Sequence, residues 1–76
     1  MSRIAEEIAD QLACDTIAAA EELGDERLIE QVAAAIGTSS PTTEELFRTL
    51  VRVRLAAARG RKLLDQKRSA SAPARE

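Results

Sequence analysis

Gly37-Thr38-Ser39-Ser40-Pro41-Thr42-Thr43-Glu44-Glu45 closes one helix and opens another, and the fold turns on this joint. Glycine just past the last apolar position of a helix accepts the backbone that ends it. Two start signals follow. Ser40 can cap with Pro41 at the first helical position, where proline's missing N–H would have had no partner anyway. Alternatively, Thr42-x-x-Glu45 forms a capping box. Either register starts a helix, and the spacing predicts that it continues from about residue 42 to about 67, roughly 39 Å at about 1.5 Å per residue.

Upstream, Gly24 followed by Asp25 is a second joint: glycine ends a helix, aspartate caps the next, and Glu26 stands in its first turn. The segments on either side read as helices over residues 3–23, about 31 Å, and 26–36, about 16 Å. In the first, Ile4, Ala5, Ile8, Leu12, Thr16, Ala19 and Leu23 recur at helical spacing on one face, with Glu6, Asp10, Cys14 and Glu21 opposite. In the second, Leu28, Ile29, Val32, Ala33 and Ile36 share a face, with Glu30, Gln31 and Ala34 opposite. No internal repeat is detectable. Beyond Arg68, Ser69-Ala-Ser-Ala-Pro-Ala-Arg-Glu76 has small residues and a proline but no large apolar side chain, which predicts a flexible tail over 69–76 after a single helical domain over 1–68. The expected fold is all-α: a three-helix unit with a long basic third helix.

A chain of 76 residues holds one small domain, and at this size much of the surface stays exposed unless a partner, disulfide or metal helps. One cysteine, Cys14, excludes an intramolecular disulfide, and without histidine no zinc ligand set can be assembled. The 45% apolar fraction includes 15 alanines, which bury little area each. Self-association is the remaining remedy, and a homodimer is expected.

The net charge of −2 conceals a polarised layout. Residues 1–38 carry nine acids and two bases, a net −7, whereas residues 39–76 carry nine bases and four acids, a net +5. Met1-Ser2-Arg3 leads directly into acidic sequence, unlike a signal or transit peptide, and no apolar run approaches the roughly 18 to 20 residues of a membrane span. A cytoplasmic protein without a membrane partner is expected.

Catalysis near neutral pH calls on a poised titrating group, most often histidine, and the chain has none. Cys14 shares its helical face with Asp10, Glu21 and Glu7, and negative neighbours disfavour the thiolate. Glu21, Glu22, Asp25 and Glu26 crowd the first joint without the alternating oxygen ligands and central glycine of a calcium loop. Gly24, Gly37 and Gly60 are scattered, so no phosphate cradle forms. The sequence therefore predicts no enzyme, no cofactor, no metal and no small-molecule substrate.

Val32-Ala-Ala-Ala-Ile-Gly-Thr-Ser39 followed by a helix start resembles the helix-turn-helix of repressors of the tetracycline-repressor type, in which an alanine precedes the turn glycine by four positions. Ala33 and Gly37 match over a resemblance of about 16 residues. It implies DNA binding through the following helix. The chain departs from the pattern at Thr38 and Thr43, where apolar residues are usual, and at Glu44 and Glu45, whose carboxylates would repel phosphate.

The third helix sorts into bands at about 100° per residue. Leu46, Leu50, Val53, Ala57 and Leu64 form one apolar band, and Phe47, Val51, Leu55 and Ala58 form another. Arg54, Arg61 and Arg68 lie between them on one side; Arg48, Arg52, Arg59 and Lys62 lie on the other. Two apolar faces predict two partners. The first band is assigned to the chain's own core, and Phe47, Val51, Leu55 and Ala58 to a dimer or partner interface. The basic residues either answer the acids of the first two helices or, through Arg48, Arg52, Arg59 and Lys62, contact nucleic acid or another anion. The expectation is a non-enzymatic protein–protein interaction module that binds itself or another protein, with a small DNA-binding regulator as the alternative.

Overall fold

Gly24 has φ +63°, the left-handed backbone that a glycine supplies at least cost. It terminates α1, Arg3–Leu23. The Gly24 N–H donates to the Glu21 carbonyl at 3.3 Å and the Asp25 N–H to the Ala20 carbonyl at 3.0 Å, the paired bonds of a Schellman end. The Asp25 carboxylate then accepts from the Arg27 N–H at 3.0 Å. Instead of capping the helix directly, Asp25 thus builds a turn, the cap position passes to Arg27, and α2, Leu28–Gly37, starts two residues later than the sequence suggests. The third helix, α3, spans Pro41–Ser71. The computed structural model describes residues 3–71, all of it helix and turn. The chain is thus the expected all-α three-helix unit.

Of the two start signals for α3, the first is used. Ser40 Oγ accepts the Thr43 N–H at 3.1 Å and its hydroxyl donates to Thr43 Oγ1 at 2.7 Å, so Ser40 is the cap and Pro41 the first helical residue. The far end differs from expectation. Ser69, Ala70 and Ser71 continue α3, because serine and alanine do not break a helix already running. Residues 72–76 of the expected tail lie outside the described residues.

The core is small and has one large piece. Ala9 and Ala13 from α1, Ala33 from α2, and Phe47 and Val51 from α3 are buried, with Thr16 beside them. Phe47 is fully buried; Ile17, Ile29, Val32, Ile36, Leu50 and Leu55 pack around this centre half-buried. A phenyl ring fits where three helices approach only if its neighbours are small, and alanines on α1 and α2 provide that room.

This arrangement corrects the assignment of faces. Phe47 and Val51 belong to the chain's own core and not to a partner interface; Leu55 packs half-buried against the same cluster, and Ala58 is exposed in the single chain. Helix α1 is likewise rotated from expectation. Ala9, Ala13 and Thr16 turn inward, and Ile4, Ile8, Leu12 and Leu23 turn outward. Periodicity identified both apolar stripes but not which one the largest side chain would choose.

Candidate interaction surface

Two ion-pair sets orient α3. Arg54 grips Asp10 of α1 with both prongs, Nε to Oδ1 at 2.7 Å and Nη2 to Oδ2 at 2.9 Å. These hydrogen bonds hold the Asp10 carboxyl below its ordinary value. Arg48 joins α2 to α3: Nη1 donates to both carboxylate oxygens of Glu30 at 2.8 and 2.9 Å, while Nε and Nη2 donate to Glu44 Oε2 at 3.0 and 2.8 Å. Bonding to Glu30 and then Glu44 raises the Arg48 pKa further above its ordinary value. Gly37 completes this corner. A Cβ there would meet the end of the Glu44 side chain, which would have to shift to make room.

The four basic residues singled out as anion contacts therefore part company. Arg48 is committed to Glu30 and Glu44, and Arg52 donates only a long bond of 3.4 Å to Thr49 Oγ1. Arg59 and Lys62 are exposed and make no ion pair among the described residues.

What the surface offers instead is apolar. On α1, Ile4 is 68% exposed, Ile8 63%, Leu12 38% and Leu23 70%; on α3, Val53 is 55%, Leu63 57% and Leu64 45% exposed. Scattered exposed apolar residues are ordinary, but these are aligned. At about 100° per residue, the four α1 side chains occupy an arc of about 100° away from Ala9 and Ala13. Glu7, Asp15 and Glu22, all exposed, edge or interrupt it.

The α3 set is clearer still. Every residue from Ala56 to Ser71 is exposed, an overhang roughly 24 Å long that neither α1 nor α2 covers. On it and just before it, Val53, Ala56, Ala57, Gly60, Leu63, Leu64 and Lys67 fall within an arc of about 120° on the side opposite Phe47 and Val51. Arg52 and Arg59 border this arc on one side; Arg61 and Arg68 border it on the other. A Cβ on Gly60 would meet nothing within 4 Å, so the fold itself does not require a glycine that costs its helix about 1 kcal/mol relative to alanine.

The exposed apolar set was not legible as a set from the sequence: helical spacing assigns most of its residues to the core, and Leu63 falls in neither of the two bands. Its signal was the excess of apolar positions on α1 and α3 over what a unit with one phenylalanine can enclose. A shallow groove also runs between α1 and α3, with Glu6, Glu7 and Asp10 on one wall and Leu46, Leu50 and Val53 on the other. Among the described residues no group of three or more acids or Cys is placed to hold a metal ion, and no helix is long and apolar enough to cross a membrane. Compared with protein-family models, with curated proteins and with solved structures, the chain matches none.

Proposed function

We propose that this chain is a non-enzymatic protein–protein interaction module that associates with itself. The observation that carries the reading is the uncovered half of α3. Sixteen consecutive helical residues, Ala56–Ser71, stand clear of the rest of the chain with Leu63 and Leu64 in water. This overhang gains nothing from tertiary packing in the single chain, and most helical stability in proteins comes from packing an apolar face. A partner along the overhang supplies that packing.

The DNA-binding alternative has less support. It needs Arg48, Arg52, Arg59 and Lys62 for phosphate, yet Arg48 is held by two carboxylates, and Glu44 and Glu45 occupy the start of the helix that would enter a groove. Sedimentation velocity over a concentration series tests the proposal, together with a gel-shift titration on duplex DNA at low and moderate salt. The expected result is a mass that rises with concentration, a melting temperature that rises with it, and no DNA shift. A monomer at every concentration that retards DNA in a salt-dependent way would replace the module with the regulator.

A further inference from the structure

We infer that the exposed stripe of α1 is the docking face for the outer face of α3 from a second copy, so that an acid-edged apolar face seats on a base-edged one. This rests on the self-association proposed above and adds which faces meet.

Two outward apolar faces allow three pairings between copies, and charge separates them. Helix α1 carries six acids and one base, a net −5; the α3 segment 56–71 carries five bases and one acid, a net +4. Pairing α1 with α1 sets −5 against −5, and pairing overhang with overhang sets +4 against +4. Like charges brought together oppose association, and opposite potentials favour it. Only α1 against α3 places opposite signs across the contact: Glu7, Asp15 and Glu22 on one side, Arg59, Arg61 and Arg68 on the other.

Shape agrees with charge. Ile4, Ile8 and Leu12 repeat every four residues and form a ridge along α1, while Ala56 and Gly60, one turn apart, leave a short shallow channel in the middle of the outer α3 face, with Leu63 on one side and Val53 and Leu64 on the other. Ridges of one helix packing into the low row of another is the ordinary geometry of helix pairs. The extents are comparable, roughly 29 Å from Ile4 to Leu23 and roughly 23 Å from Ala56 to Ser71. Gly60, bare of any neighbour in its own chain, has its explanation in the approach of the second copy. The groove between α1 and α3 is the weaker seat, since its apolar residues Leu46 and Leu50 are already half-buried, Leu50 against the core.

The test is a charge-swap pair at exposed positions. One variant carries Glu7→Lys, Asp15→Lys and Glu22→Lys; the other carries Arg59→Glu, Arg61→Glu and Arg68→Glu. Circular dichroism confirms helix in each, and sedimentation gives the association of wild type, each variant and their equimolar mixture. Each variant alone is expected to associate at least about tenfold more weakly than wild type, because its two faces now carry the same sign. The mixture is expected to regain association, because every α1–α3 contact between unlike copies is again matched. A third variant, Gly60→Leu, fills the channel and is expected to keep its helix while losing association. A wild type that stays monomeric at every concentration overturns the self-association reading itself. A wild type that associates, with the arginine-reversed variant associating equally well alone, overturns this inference and leaves that reading standing. A mixture that remains as weak as its components, or Gly60→Leu associating as wild type does, overturns it too.

Discussion

Phe47→Ala removes the only aromatic side chain, and the magnitude follows from its surroundings. The ring is fully buried, with Ala13, Ala33 and Val51 as buried neighbours and half-buried aliphatic side chains beyond them. Alanines cannot move in to fill the space it leaves, because their Cβ atoms are fixed to the helix backbones. The transfer and cavity contributions of a buried phenylalanine together amount to about 3–5 kcal/mol. At about 0.05–0.15 kcal/mol per residue, a chain of this size holds on the order of 4–11 kcal/mol in total. The variant should therefore lose between about a quarter and all of its stability. Urea titration followed by far-ultraviolet circular dichroism measures this, run at two protein concentrations at least tenfold apart. Leu63→Ala, on the exposed overhang, serves as the control and should change the dilute protein by no more than about 0.5 kcal/mol. A loss below about 1 kcal/mol for Phe47→Ala, or a loss confined to the concentrated sample, would refute a core assignment and return Phe47 to an interface.

Three smaller perturbations address other joints of the structure. Ser40→Ala should lower stability by about 0.5–2 kcal/mol through loss of the α3 cap, while Thr42→Ala should do little, because the capping-box register is not the one used; a denaturation midpoint moved by Thr42→Ala and not by Ser40→Ala would reverse the register. Gly37→Ala should change stability by less than about 1 kcal/mol, since the better helix propensity of alanine is offset by moving the flexible end of the Glu44 side chain; a loss of more than about 2 kcal/mol would mean that the Glu44 side chain cannot give way. Asp10 has a folded pKa below its ordinary value of 3.8, so its contribution to stability is complete above that value and is lost as pH falls through the lower folded one. Asp10→Asn should accordingly flatten the decline of melting temperature below about pH 4, and an unchanged acid limb would mean that the Arg54 contact contributes nothing.

The joints of the fold were legible because they are written in local chemistry. Gly24 ends a helix by adopting φ +63°, and Ser40-Pro41 starts one by capping and by a preset backbone angle; neither depends on distant residues. The starts and ends that shifted are those where local signals tie. Asp25 can cap directly or build a turn that starts the helix two residues later, and Ser69-Ala70-Ser71 carries no signal that ends a helix. The orientation of the faces was not legible, because it depends on a pairing between helices. Both apolar bands of α3 satisfy the same periodicity, and only the size match between Phe47 and the alanines of α1 and α2 decides between them. That match could have been read from the sequence by asking which band holds the largest side chain and which helices offer faces of alanine.

The same match explains why α1 leaves its larger side chains in water. If α1 rotated to bury Ile4, Ile8 and Leu12, it would remove more apolar area from solvent, which at about 25 cal/mol per Å² is a gain that a small domain can ill forgo. It would also drive three branched side chains into the space held by the Phe47 ring and swing Asp10 away from Arg54. Overpacking a filled site costs about 1–3 kcal/mol or more, and Arg54 would lose both of its bonds to the Asp10 carboxylate. The observed rotation keeps the Phe47 ring among alanines and Asp10 within reach of Arg54, and it leaves the apolar stripe on the outside of α1. With the α3 overhang also uncovered, the chain presents two apolar faces, one edged by acids and one by bases, that lie apart in its own fold, and the proposed association between copies rests on this arrangement.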